Sequence, residues 1–169
     1  MDGLENNSTS DLRNAARDLK EERQQLKRLR RQELMALRRV PYDIAIERNT
    51  WFHLGANSNQ QLLYTLQRML EPIKEHVDNS FTPLSPALCE EFQPMRRAIN
   101  DLMKATADDI DTNKYDNYRE ILAQADACKD ELSVLRKQHI DRMQAHADAS
   151  QLQIDLLYLN VLQESQQLL

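Results

Sequence analysis

The stretch QLLYTLQRMLEPIKEHVD (residues 61–78) decides the fold class, because its apolar residues return every three or four positions. That spacing places them on one face of an α-helix, which is typical of a helix that packs against a core. Ser58 or Asn59 is suited to begin this helix, and Pro72 inside it predicts a bend. The apolar face has seven members: Leu62, Leu63, Leu66, Met69, Leu70, Ile73 and Val77.

The composition of the whole chain also favours helices. Its 169 residues include only 2 Gly and 5 Pro, aromatic residues make up 5%, and charged residues make up 29%. So few glycines and aromatic residues leave little material for hairpins and sheets, whereas the length is sufficient for one domain with a buried core. We therefore predict an all-α protein, an antiparallel bundle of about five or six helices with a long basic first helix.

The first helix is predicted to begin at a cap provided by Ser8 or Ser10 and to run to about Arg39. Its leucines recur every seven residues, which indicates a narrow coiled-coil seam. The members of that seam are Leu12, Leu19 and Leu26. We assign residues 1–39 to a polar N-terminus and this connector helix, and residues 40–169 to the bundle domain.

Pro41 separates the first helix from a short second one, since the residue before a proline avoids the helical conformation. This second helix is predicted to end near Leu54, with Gly55 as its terminator. It is the most apolar short element of the chain and contains Trp51, the only tryptophan. We expect Trp51 to be buried.

Two loops divide the rest of the chain into further helices. Ser85 followed by Pro86 is a helix cap with a first-turn proline, so a helix begins after a loop at residues 79–85. A second break is predicted at residues 108–113. Residues 144–150 contain no strong helix breaker, and either a bend there or one long helix to Leu169 fits the sequence.

The net charge of −5 conceals an asymmetry. Residues 20–39 contain eight basic and three acidic residues, a charge of +5 that leaves −10 for the remainder. This basic segment could contact nucleic acid or anionic lipid, or it could be a solvated face paired with the acidic remainder. It has no interleaved aromatic residues, so we expect no nucleic-acid partner. The residues predicted to contact a membrane or a partner are Lys27, Arg28, Arg30 and Arg31.

The sequence offers no signature of an enzyme. With only two glycines it has no phosphate-binding glycine loop, and the four histidines show no HxxxH or HExxH spacing. Cys89 and Cys128 lack CxxC spacing and are predicted to be small core residues in a reducing compartment. No signal peptide and no membrane span is predicted, and the apolar end at residues 166–169 leads us to expect a fragment of a longer protein.

Two rows of carboxylates are candidates for metal ligands, because acidic residues one helical turn apart share a face. Such rows can bind a hard or octahedral cation, here a divalent or ferric ion, if a second helix faces them. The alternative is an ordinary solvated face neutralised by Lys74 and Lys129. We predict that the two rows face each other. One row is Asp126 and Asp130, and the other is Glu71, Glu75 and Asp78.

Three segments resemble the cytoplasmic helical region of bacterial inorganic phosphate transporters, a region similar to a PhoU domain. They are VPYDIAIERNTWFHLGANSNQQLLYTLQRMLEPIKEHVDN (residues 40–79), DELSVLRKQHIDRMQ (130–144) and LYLNVLQESQQLL (157–169). The resemblance implies a bundle of three-helix units. It also implies a metal-binding motif in which an acidic residue is followed four positions later by Asp. Asp126 and Asp130 match this motif, whereas Glu71 and Glu75 match only its spacing.

The resemblance implies a non-enzymatic regulatory domain of an inorganic phosphate transporter. Its location would be the cytoplasmic face of the inner membrane, and its partners the membrane-spanning part of the same protein, an anionic lipid surface and further copies in a homo-oligomer. The alternative is a structural helical module that self-associates through its coiled-coil seam.

Overall fold

The computed structural model describes Leu4, Asn6, residues 8–145 and residues 151–169. Within these residues the regular structure is entirely helical, which confirms the predicted all-α class. Ser8 and Ser85 each accept a hydrogen bond from a backbone N–H three residues further on, as their predicted role as caps requires. The helices are α1 Thr9–Leu37, α2 Tyr42–Asp78, α3 Pro86–Thr112, α4 Tyr118–Ala145 and α5 Leu152–Leu168.

Helix α2 corrects the prediction of a short second helix. It continues through Gly55 to Asp78 without a break, and Trp51 is 69% exposed instead of buried. A glycine inside a helix costs only about 1 kcal/mol, and the seam between α1 and α2 supports the helix on both sides of Gly55. The face of α2 that carries Trp51 points away from this seam, so no helix in the described part of the chain buries the tryptophan.

Helices α1 and α2 pack along a seam that includes the predicted leucines. Leu12 is buried, and Leu19 and Leu26 are half-buried against α2. Polar pairs alternate with these apolar contacts: Arg23 donates to Gln67, Arg30 donates to Gln60 at 3.0 Å, and Arg48 of α2 pairs with Glu33 of α1. Along the seam, residues with higher numbers in α1 contact residues with lower numbers in α2.

The core lies among α2, α3, α4 and α5. Helix α5 is its centre, because it packs on both α2 and α4, and α4 packs in turn on α3. Tyr158 and Val161 of α5 are fully buried, and the Phe92 ring meets the Tyr158 ring edge to face at 6.5 Å. Leu4, within the N-terminus predicted to be polar, is also buried in this core.

Helices α4 and α5 are separate elements that lie side by side. Gln166 near the end of α5 donates to Lys129 and Ser133 midway along α4, whereas Asp155 at the start of α5 lies beside His139 late in α4. These contacts exclude one continuous helix from α4 to Leu169. The residues at which we considered a bend include 146–150, which lie outside the described part of the chain.

Candidate functional site

The predicted carboxylate rows lie on separate exposed surfaces. In α2, Glu71 accepts a hydrogen bond from Gln67, and Asp78 accepts one from Lys74. The hydrogen bond from Lys74 is the main cause that lowers the pKa of the Asp78 carboxyl. Glu75 is exposed.

In α4, the Asp126 side chain is 79% exposed and lies 3.8 Å from Lys129, and Asp130 is exposed as well. The buried residues of α4 are Ala125, Cys128, Leu132 and His139, so the two aspartates occupy the face turned to solvent.

The structure does not bring the two rows together. Helix α2 packs mainly on α1 and α5, whereas α4 packs on α3 and α5. Across residues 8–145 and 151–169, no three His, Cys, Asp or Glu side chains are grouped closely enough to hold a metal ion. The five carboxylates therefore do not fit a shared multinuclear centre, and metal binding by Asp126 and Asp130 stays a prediction from the sequence motif.

The basic residues between positions 20 and 39 have no acidic partner among the described residues. Arg30 is half-buried and donates to the neutral amide of Gln60, while Lys27, Arg28 and Arg31 are exposed. Among the described residues, none of the eight basic side chains between residues 20 and 39 forms an ion pair. The sequence left open a pairing of this segment with the acidic remainder, and the structure does not form it.

The far end of the α1–α2 pair exposes many large apolar side chains. We call this end, residues 28–54, the arm. Trp51 is 69% exposed and Tyr42 is 82% exposed. Exposed apolar clusters of this kind mark interaction surfaces. The full set in the arm is Leu29, Leu34, Met35, Tyr42, Ile44, Ile46, Trp51 and Leu54.

Helical periodicity explains why part of this apolar surface exists. Five turns of helix contain eighteen residues, so Trp51 lies on the same face of α2 as Met69, and Ile44 lies on the same face as Leu62. Near the core this face is covered, with Met69 packed against the core cluster. Helix α5 reaches α2 at the ion pair of Glu164 with Arg68, 2.7 Å long, and ends at Leu168. The outer continuation of the face is left uncovered.

A polar network that the sequence did not predict joins α3, α4 and α5. Arg142 donates to both oxygens of Glu91 at 2.6 and 2.8 Å, and the Tyr158 hydroxyl donates to Glu91 at 3.0 Å. Arg142 also donates to Nδ1 of His139 at 3.3 Å, which leaves the proton of a neutral imidazole on Nε2, 3.3 Å from an Asp155 oxygen. No local spacing links residues 91, 142 and 158, so no sequence signal could have found this network.

The surroundings of the network determine its protonation. The hydrogen bond from Arg142 is the main cause that lowers the pKa of Glu91, and burial raises the pKa of Tyr158. Burial also lowers the pKa of His139, which is 2% exposed, and outweighs the opposing effect of Asp155. At neutral pH the network therefore holds a carboxylate, a guanidinium and a neutral imidazole, an arrangement that fastens three helices together.

Comparisons with known protein families, curated proteins and solved structures gave no match to the chain. Among the described residues, no helix combines the length and hydropathy that a membrane span requires.

Proposed function

We propose that this chain is a non-enzymatic regulatory domain of an inorganic phosphate transporter, built as a PhoU-like antiparallel helical bundle. It acts at the cytoplasmic face of the inner membrane, where it contacts the membrane-spanning part of the same protein. The sequence resemblance of residues 40–79, 130–144 and 157–169 motivates the proposal, and the all-helical fold is consistent with it.

The arm is the observation that carries this proposal. It combines exposed apolar side chains with exposed cations that form no ion pair with any described residue, such as Arg28, Arg31 and Arg38. Apolar and aromatic side chains insert at a membrane boundary or into a partner, while Lys and Arg contribute about 1 kcal/mol each near an anionic lipid surface. A domain that docks on a membrane protein at the lipid surface needs both features.

The antiparallel arrangement is supported by pairs of interacting residues. Arg23 and Arg30 of α1 contact Gln67 and Gln60 of α2 in reversed order. Helices α4 and α5 show the same reversal, in the contacts of Lys129 with Gln166 and of His139 with Asp155.

Uptake of radiolabelled phosphate tests the proposal. The measurement compares source cells with cells in which the coding sequence of these 169 residues is removed in frame. We expect uptake to continue but to lose its response to external phosphate. A full response in the deletion strain would refute the assignment to phosphate transport.

The exposed face of α2 also favours a second function, a structural module that self-associates. In that case the face around Trp51 would meet a second copy of the chain, and light scattering of the purified protein would give the mass of a dimer. Trp51→Gln with Ile44→Gln would convert the dimer to a monomer. A monomeric wild type at micromolar concentration would exclude this alternative.

A further inference from the structure

A groove lies between α1 and α2, on the core side of the arm. It contains two adjoining cavities of about 390 and 210 Å³, which share Arg23 and Lys27. Leu19 and Leu70 line the larger cavity together with polar side chains, and Tyr64 lines the smaller one. We call the whole feature the cationic groove, because five cations line it: Lys20, Arg23, Lys27, Arg30 and Lys74. Lys74 is paired with Asp78, which leaves the four cations of α1 without a counter-charge among the described residues.

The positive charge of this groove is poorly compensated. Within the described part of the chain, Glu71 is the only acidic residue that lines either cavity, and its carboxylate accepts a hydrogen bond from Gln67. Arg23 and Arg30 donate to neutral glutamines, and Lys20 and Lys27 form no ion pair with any described residue. Cations held together without counter-charge repel one another, so a bound anion would stabilise the folded groove.

The chemistry of the lining selects the kind of anion. Its Lys, Arg and Gln side chains offer many N–H donors, while the side-chain acceptors among the described lining residues are Glu71, the glutamine amide oxygens and the Tyr64 hydroxyl. A chain of phosphate groups offers acceptors only and matches such a lining. A peptide would bring backbone N–H groups that need acceptors, and a nucleic acid would need stacking partners beyond Tyr64.

The spacing of the cations selects the length of the anion. Lys20 and Lys27 are seven residues apart on α1, which corresponds to about 10 Å along the helix axis. The cations are spread along both adjoining cavities, so a short linear chain of phosphates contacts more of them at once than a single orthophosphate does. We propose that the cationic groove binds a linear, phosphate-bearing anion of which inorganic tripolyphosphate is the simplest form. This ligand goes beyond the proposed docking of the arm, because the groove excludes the exposed apolar residues of the arm.

Calorimetric titration of the whole chain with sodium tripolyphosphate tests the inference. We expect saturable binding with one ligand per chain, an affinity that falls as salt rises, and much weaker binding of orthophosphate. Lys20→Gln with Lys27→Gln should lower the affinity by about tenfold or more, because two cations that contact the anion are removed. The matched control is Arg28→Gln with Arg31→Gln, which removes equal charge from exposed positions of the same helix outside the groove and should change the affinity less than about twofold.

A parallel binding measurement with vesicles of phosphatidylglycerol distinguishes a soluble ligand from a lipid headgroup. The groove variant should retain more vesicle binding than the Arg28 and Arg31 control, because it removes one of the four residues predicted to contact a membrane and the control removes two. The inference is overturned if tripolyphosphate shows no saturable binding, if the control weakens tripolyphosphate as much as the groove variant, or if only vesicles bind and the groove variant abolishes that binding.

Discussion

Replacing Arg142 with Met is expected to destabilise the fold by about 2 kcal/mol at neutral pH. The substitution retains most of the apolar stem but removes two charge-assisted hydrogen bonds to Glu91, at 2.6 and 2.8 Å. Such bonds are worth about 1.5–3 kcal/mol each when buried. The Arg142 side chain is 46% exposed and that of Glu91 22%, so water replaces part of the lost interaction. Tyr158 continues to donate to the Glu91 carboxylate, which further limits the loss.

The cost of this substitution should depend on pH in a defined direction. Arg142 lowers the pKa of Glu91 below its ordinary value of 4.5. A carboxyl with a lowered pKa contributes stability that is present above its unfolded pKa and is lost as the pH falls through its folded pKa. The difference between wild type and Arg142→Met should therefore be largest above about pH 5 and shrink as the solution becomes more acidic.

Urea denaturation followed by far-UV circular dichroism, at pH 7 and at several values down to pH 3, measures both effects. Lys137→Met is the matched control, because Lys137 is an exposed cation on the same helix, and it should change the free energy of unfolding by less than about 0.5 kcal/mol. A difference near zero at pH 7, or one that stays constant down to pH 3, would show that the Arg142–Glu91 pair does not join α3 to α4.

Four further predictions concern the core, the arm and the network. Leu132→Ala should cost about 2–5 kcal/mol in a urea titration, because the side chain is 1% exposed in the core; a cost below about 1 kcal/mol would contradict this packing. Trp51 should fluoresce near the wavelength of indole in water, and Trp51→Ala should cost less than about 1 kcal/mol, since the ring is 69% exposed. Blue-shifted emission from the dilute monomer would be inconsistent with this exposure. Stability should decline as the pH falls below about 6.5, because burial lowers the pKa of His139 and the unfolded chain takes up the proton first. His139→Gln should flatten that part of the stability–pH profile. An unchanged slope in the variant would show that His139 is not the group responsible. Anionic vesicles should bind the chain, and this binding should weaken as the salt concentration rises. It should disappear when four cations are replaced by Gln: Lys27, Arg28, Arg30 and Arg31. Equal binding to neutral vesicles would contradict an electrostatic role for these residues.

Local patterns were sufficient for the helical class and for several boundaries. Ser8 and Ser85 are caps as expected, Pro41 separates α1 from α2, and Leu12, Leu19 and Leu26 lie along a seam. Each of these features depends on residues within one or two turns of each other. For that reason a single sequence contains enough information to predict them.

Features that depend on neighbouring helices were not predictable from the sequence. Gly55 is a plausible helix terminator by itself, and only the packing of α2 on α1 accounts for the continuation of the helix through it. The prediction that Trp51 is buried failed for the same reason, because it required a helix packed against that face of the arm and no described helix covers it. The two carboxylate rows were expected to face each other, but spacing along α2 and α4 cannot show that α5 is the helix both pack against.

The polar pairs in the seam between α1 and α2 determine how far the arm extends from the core. Two helices joined only by leucines could slide past each other by a heptad with little change in contact. Here a slip in one direction would place Arg30 against Gln67 but Arg23 against Lys74. A slip in the other would place Arg23 against Gln60 but Arg30 against His53. The observed register alone satisfies Arg23 and Arg30 with glutamine oxygens. The hairpin therefore behaves as a spacer of set length, which presents its tip at a constant distance from the body of the protein.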